Sequence, residues 1–354
     1  MAISIISGLL AYKPRTRLVW EGVCSSISID QASLYNENGE GMRKILSLGY
    51  RDLPQHLKVC LLHLSIFPGD YPISRGRLIR SWIAEGFIII SENSSHDTVE
   101  ELAEAYLDEL INRGFIQPVV SGTDDNKTKA CLLICGTVHK FIESKAAKEN
   151  VGTVLGDENK RSVLCGTIRR LSVMNLKENY DDIPESRITS HNRSLYSFVV
   201  GSGAKLFVKH FPFLWVLDLE GFMELTNNDV EKIARRLLNL RYLSIRDTPV
   251  SRIPDQIGQL QFLTTLDLRG TKVQELPMSV VHLQRLAHLL CDTMKFPAEW
   301  IGKMATLSCL SQFDVLQCSI SSVEQLGNLS ELRELTLWWS PETEVDNIDE
   351  RCEH

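Results

Sequence analysis

Residues 240–260 read LRYLSIRDTPVSRIPDQIGQL and residues 263–283 read LTTLDLRGTKVQELPMSVVHL, and the two superimpose at an offset of 23 residues. The offset pairs Leu243 with Leu266, Ile245 with Leu268, Thr248 with Thr271, Val250 with Val273, Ile253 with Leu276, Pro254 with Pro277 and Leu260 with Leu283. Composition does not produce that agreement; one short structural unit is repeated. Leu243 and Ile245, two apart, put apolar side chains on one face of a short strand, and a second apolar anchor before proline returns the chain.

The spacing L-x-x-L-x-L, then a small turn and an anchor, is the leucine-rich repeat pattern. Degenerate copies centre on Leu171/Val173, Phe198/Val200, Leu217/Leu219, Leu289/Cys291, Phe313/Val315 and Leu335/Leu337, which gives about eight coils. One coil cannot bury its apolar edge alone, so stacking supplies the core. Strand alternation then assigns an outward, concave face: Arg170 and Ser172 early, then Tyr242, Ser244, Arg246, Thr265, Asp267, Arg269, His288, Asp292, Gln312, Asp314, Glu334 and Trp338. Aromatics mixed with both charges suit a protein ligand, and the excess of acids disfavours nucleic acid.

Working upstream, the period changes from two to 3.6. Leu57, Cys60, Leu61 and Leu64 share one helical face, and Leu78, Ile79, Trp82, Ile83 and Phe87 share another, with Ser74 as N-cap and Gly86 as stop. Val99, Leu102, Ala103, Tyr106, Leu107, Leu110 and Ile111 predict a third helix over 97–113. Two apolar strands follow, 115–120 and 130–138, joined by the polar turn SGTDDNKTK, with a helix from Phe141 to Lys148. Helices followed by a β-hairpin predict a winged helix. The fold class is therefore α+β or α/β: a helical winged-helix module, then a repeat solenoid.

The 354 residues are 44% apolar with a net charge of -7, so a chain built to coat nucleic acid or anionic lipid is disfavoured. Nine cysteines without framework spacing fit reduced thiols and a cytoplasmic location. The apolar start MAISIISGLL lacks a preceding basic residue and a cleavage site, so it reads as a buried helix rather than a signal peptide. The chain has no stretch of the ~20 apolar residues that a bilayer requires. Asn93, Asn126, Asn192 and Asn328 open Asn-x-Ser/Thr sequons, which carry no meaning in a cytosolic protein.

Residues 131–142, CLLICGTVHKFI, raise metal and catalytic alternatives. Cys131 and Cys135 in one strand lie ~13 Å apart, too far for a single zinc, and a fourth ligand is lacking nearby. The sequence has no G-x-S-x-G, H-E-x-x-H or C-x-x-C spacing, so an enzyme is not expected. DNA binding through Arg75, Arg77 and Arg80 is a rival reading of the second helix, whose apolar stripe nevertheless needs burial.

Residues 41–88, GMRKILSLGYRDLPQHLKVCLLHLSIFPGDYPISRGRLIRSWIAEGFI, closely resemble the winged-helix part of plant nucleotide-binding leucine-rich-repeat disease-resistance proteins of the coiled-coil class. Residues 4–23 resemble a stretch of that family's helical ARC subdomain, and the repeats resemble its C-terminal region. The resemblance implies an ARC remnant at 1–35, a winged-helix domain at 36–150, repeats at 151–345 and an acidic tail at 346–354. It implies an innate-immune receptor-like protein whose repeats bind a pathogen effector, a host protein or a full-length receptor. It also gives His139 the role of a ligand to ADP in an ADP/ATP switch, whereas Lys140 stands where the family has aspartate; in an intact receptor that change predicts a loosened off-state. The sequence contains no G-x-x-x-x-G-K-[ST] phosphate loop, so the nucleotide pocket is incomplete in this chain and it looks like a truncated, C-terminal part of such a receptor. The alternative is a repeat scaffold with no immune or nucleotide role.

Overall fold

The computed structural model describes residues 2–27, 40–90, 97–120, 129–133, 135–155, 169–174, 192–198, 211–292, 301–314 and 320–338. The chain divides into two units, Met1–Val199 with Leu214–Val216, and Val200–Phe213 with Leu217–His354. The expected acidic tail, Asn93, Asn126, Val200, Val315 and most of the SGTDDNKTK turn lie outside the described residues.

The first unit begins with α1 (Ala2–Ala11), α2 (Arg17–Ile27), α3 (Glu40–Asp52) and α4 (Gln55–His63). Helix α1 buries Ile5, Gly8 and Leu9 and packs on α3, while Ile3 is exposed, so the apolar start is a half-buried helix. Then come β1 (Ile73–Ser74), α5 (Arg75–Glu85), α6 (Val99–Asn112), β2 (Ile116–Val120), β3 (Lys129–Leu133) and α7 (Cys135–Lys148). The β2–β3 hairpin pairs Ile116 with Leu133, and β1 adds to its edge with Ile73 opposite Cys131, giving the antiparallel order β1-β3-β2. Helices α4, α5 and α6 with this sheet make the expected winged helix.

Local sequence fixes both ends of α5. The Ser74 side chain accepts a hydrogen bond from the Arg77 amide at 3.2 Å. At the other end Gly86 takes φ 76°, its amide donates to the Ile83 carbonyl and the Phe87 amide to the Trp82 carbonyl, the two bonds of a Schellman motif. The same device ends α6: Gly114 at φ 78°, with the Gly114 amide on Ile111 and the Phe115 amide on Leu110. Gly86→Ala forces a side chain into the left-handed region and should cost about 1 kcal/mol, read as a lower denaturation midpoint.

The expected strand over 130–138 is corrected: β3 stops at Leu133 and α7 is already helical from Cys135. Val138, Phe141, Ile142 and Ala146 are buried at helical spacing, and that stripe outweighs the short apolar run that imitates a strand. Cys131 and Cys135 therefore stand on different elements, and their side chains lie outside the described residues.

The first unit ends in three parallel strands, β4 (Thr153–Leu155), β5 (Arg170–Met174) and β6 (Ser194–Phe198). Strand β4 was not expected from the sequence. Leu171 pairs with Leu195, so the apolar position of β6 is Leu195 rather than Phe198.

Strand β7 (Val216–Asp218) has its first residue in the first unit and the rest in the second, which also carries α8 (Asn227–Arg236), β8 (Tyr242–Ser244), β9 (Thr265–Asp267), β10 (His288–Leu290), β11 (Cys309–Asp314), α9 (Ile320–Leu326) and β12 (Glu334–Trp338). Leu243, Leu266 and Leu289 are in register across parallel strands and fully buried. The hydroxyls of Thr248 and Thr271 donate to the Ile245 and Leu268 carbonyls at 2.6 Å, which explains why threonine recurs at the repeat offset. Leu310 stands opposite Leu289, not Phe313 as the spacing suggested. An irregularity between Leu310 and Phe313, with Gln312 at φ 53°, inserts the residue that shifted the pattern.

Candidate functional site

Strands β5 and β6 are buried on both faces. Leu171, Val173 and Leu195 fill the repeat interior, while the alternate residues Arg170, Ser172, Ser194 and Tyr196 face the winged helix. The Ser172 hydroxyl donates to the Ile66 carbonyl at 2.6 Å, and Arg170 donates to the Val151 carbonyl at 3.1 Å. Arg170 and Ser172, expected on the outward concave face, are thus spent within the protein.

The centre of this contact is Glu85, the last residue of α5, whose side chain is fully buried. Arg170 Nε donates to its Oε2 at 2.6 Å, the Ser194 hydroxyl donates to Oε1, and the Tyr196 hydroxyl lies 3.3 Å from Oε1. Tyr196 in turn is 2.7 Å from the Ser81 hydroxyl and 3.1 Å from His63 Nε2. Arg170 stacks on Phe87 at 4.7 Å, and beside it Arg77 stacks on Phe67, Tyr71 and Phe198 at 5.4 to 5.7 Å. Winged helix and first repeat strands are joined by a charged, hydrogen-bonded cluster in an aromatic surround.

A carboxylate here has two handicaps: burial, and the negative end of the α5 dipole. Burial alone would raise the Glu85 pKa, yet its neighbours hold it at about 2. His63, whose Nε2 lies 3.7 Å away, the Arg170 guanidinium and, more weakly, the Ser194 hydroxyl all favour the ionised carboxylate. Burial, reinforced by Arg170, pushes His63 below the usual imidazole range even with Glu85 nearby. The cluster therefore holds one anion, one cation and a neutral imidazole. His63 Nδ1 has no hydrogen-bond partner among the described residues, which a bare lone pair tolerates better than an N–H would.

On the second unit, alternation predicted solvated positions, and the structure differs. Tyr242, Ser244, Thr265, Asp267 and His288 are buried, whereas Arg246, Arg269, Asp292 and Gln312 are half-buried and Glu334 and Trp338 exposed. In-register stacking explains part of this, since residues on adjacent parallel strands shield one another: Tyr242 and His288 both pair with Thr265, whose hydroxyl is 3.3 Å from His288 Nδ1. Arg269 clamps Asp267 through Nε at 2.9 Å and Nη2 at 2.5 Å. The side chain of Asp314 lies outside the described residues.

His139 is buried in α7, and its Nε2 donates to the Phe67 carbonyl at 2.9 Å. The other nitrogen, Nδ1, lies 3.8 Å from the Glu143 carboxylate and next to Gly69, while Lys140 is exposed. A nucleotide phosphate does not fit this arrangement: the donor is taken by a carbonyl, and the remaining nitrogen faces an anion. Of the arginines weighed for DNA, Arg77 is buried among aromatic rings and Arg75 pairs with Asp108 at 2.8 Å. The described residues hold no group of three or more candidate metal ligands, and none of their helices is long and apolar enough to cross a membrane.

The Glu85 cluster was missed by the sequence reading, although a signal existed. Glu85 falls seven residues after Leu78 and three after Trp82, on the apolar stripe itself, where a lone carboxylate demands a partner. Arg170 carried no matching signal, because its distance along the chain hides the contact.

Comparison with known proteins agrees with this architecture. Residues 66–142 match the family model described as disease resistance protein winged helix domain, and residues 191–354 match that of a leucine-rich repeat region. Disease resistance protein Pik-2 of Oryza sativa subsp. japonica is 36% identical over 291 residues, 82% of this chain and 28% of the relative. Disease resistance protein RGA5 of the same species is 32% identical over 348 residues, 96% of this chain and 30% of the relative. Putative disease resistance RPP13-like protein 3 of Arabidopsis thaliana is 29% identical, over 94% of this chain and 38% of its own length. The chain thus spans less than two fifths of the length of these relatives. With its winged helix and its repeats both matched, the chain belongs to the plant disease-resistance proteins that join a winged-helix domain to a leucine-rich repeat region.

Proposed function

We propose that this chain is a non-enzymatic, cytoplasmic recognition and restraint module of a plant immune receptor, with about eight repeat coils presenting a protein-binding face. The observation that carries this reading is the buried Glu85–Arg170 pair, with Ser194, Tyr196 and His63 around it, which makes the start of the repeats and the winged helix one packed body. A partner that binds the repeats better when this contact is open would shift a closed-to-open equilibrium by its differential affinity. The ligand face then begins beyond β6, with Arg246, Arg269, Asp292, Glu334 and Trp338 as its accessible groups and Tyr242, Asp267 and His288 as their support. A protein ligand, an effector or a host protein, suits that mixed-charge aromatic surface.

No nucleotide step is assigned to this chain, since the surroundings of His139 do not fit a phosphate. Co-expression of the chain with a full-length receptor in leaf tissue tests the reading: altered cell death is the expected result. An unchanged response, or stoichiometric ADP retained by the purified chain, would sink it and favour a plain scaffold or a nucleotide switch respectively.

A further inference from the structure

We propose that the contact between α4–α5 and β5–β6 is a proton-operated latch, in which protonation of His63 puts uncompensated charge into the interface and releases the first repeat strands from the winged helix. His63 is fully buried, with its ring against Phe67, Phe87 and Tyr196 at 5.3 to 6.1 Å. The titratable and charged groups around it are Glu85 and Arg77 from α5, Arg170 from β5 and Tyr196 from β6. Arg77 is stacked on Phe67, the Tyr196 hydroxyl is hydrogen-bonded to that of Ser81, and Glu85 is already matched by Arg170. An added proton therefore changes the Glu85–Arg170–His63 cluster from neutral to a net positive charge. It also turns Nδ1 into a buried donor without a partner among the described residues.

The direction follows from linkage. The native state disfavours the charged imidazole, while an opened state lets it titrate near 6.5, so opening binds a proton as pH falls. The stability of the contact is fully present above pH ~6.5 and declines below it. Between pH 7.5 and 5.5 the opening equilibrium should rise about tenfold, since an opened imidazole of pKa ~6.5 is mostly neutral at the first pH and mostly charged at the second. Glu85 adds nothing in that window, because its own loss of stability begins only below pH ~4.5.

Amide hydrogen exchange of the full chain reads this directly, with intrinsic rates corrected for pH. The amides of Leu171, Val173, Leu195 and Ser197 should lose protection about tenfold from pH 7.5 to 5.5, while those of Leu243 and Leu266 in the second unit stay level. His63→Gln should flatten the response of the first set. Equal behaviour of both sets, or a tenfold response that survives in H63Q, would overturn the latch. Ring NMR of the unmodified chain decides without any variant: a His63 resonance that titrates near 6.5 in the folded protein would overturn it, and one that stays neutral supports it. The latch uses the contact on which the proposed receptor role rests, yet it is read from exchange alone. A negative cell-death result would leave it standing, and failure of the exchange test would leave the receptor role untouched.

Discussion

Glu85→Gln loosens the first unit by about 3–5 kcal/mol, because Arg170 is then left buried without its counter-charge. The amide still accepts from Ser194, so the loss reports charge rather than the absence of a hydrogen bond. Removal of the other partner, Arg170→Met, has a similar cost, since it strands the carboxylate at the C-terminal end of α5. The double substitution Glu85→Gln with Arg170→Met should return to within about 1 kcal/mol of the parent, as buried pairs replaced by apolar groups often do. Hydrogen exchange at β5 measures all three. Additive losses in the double variant would show that the pair is not coupled.

Trp82→Ala is the second large effect, expected at about 3–5 kcal/mol. Trp82 is fully buried on α5, one turn before Glu85, and its carbonyl accepts the Phe87 bond that ends the helix. The cavity would loosen Ser81 and Glu85 together, so the repeat strands should lose protection along with the helix. Trp82→Phe should cost less than half as much. It keeps most of the apolar volume, and it removes an indole N–H that has no partner among the described residues. Equal losses for the two variants would mean that the indole nitrogen is held by a group that the packing does not reveal.

Local signals made the helices and central repeats legible. Ser74 and Gly86 each announce a helix boundary that depends on bonds within a few residues. The 23-residue offset announced the stacking of Leu243, Leu266 and Leu289 because each coil touches only its neighbours. Reading failed where geometry departed from the period. At Gln312 an extra residue at positive φ displaced the apolar position to Leu310, and at Cys135 a short apolar run concealed the start of α7. The site was least legible: Arg170 and Glu85 are 85 residues apart, and neither repeat pattern nor helical period encodes their meeting. His139 was singled out through family resemblance, and its neighbours Phe67, Gly69 and Glu143 come from a loop and a helix whose approach only folding reveals.

The grouping of β4, β5 and β6 with the winged helix sets where repeats can be exchanged between relatives. Solenoid coils are ordinarily modular, and a graft can begin at any loop. Here a graft that replaces β5 or β6 separates Arg170, Ser194 and Tyr196 from Glu85 and His63. Chimeras joined after Val199 inherit a matched set, whereas those joined near residue 150 must import helix α5 with the strands. Exchange of the first coils is therefore constrained in a way that exchange of the later ones is not, which ties the sequence of β5 and β6 to that of the winged helix they pack on.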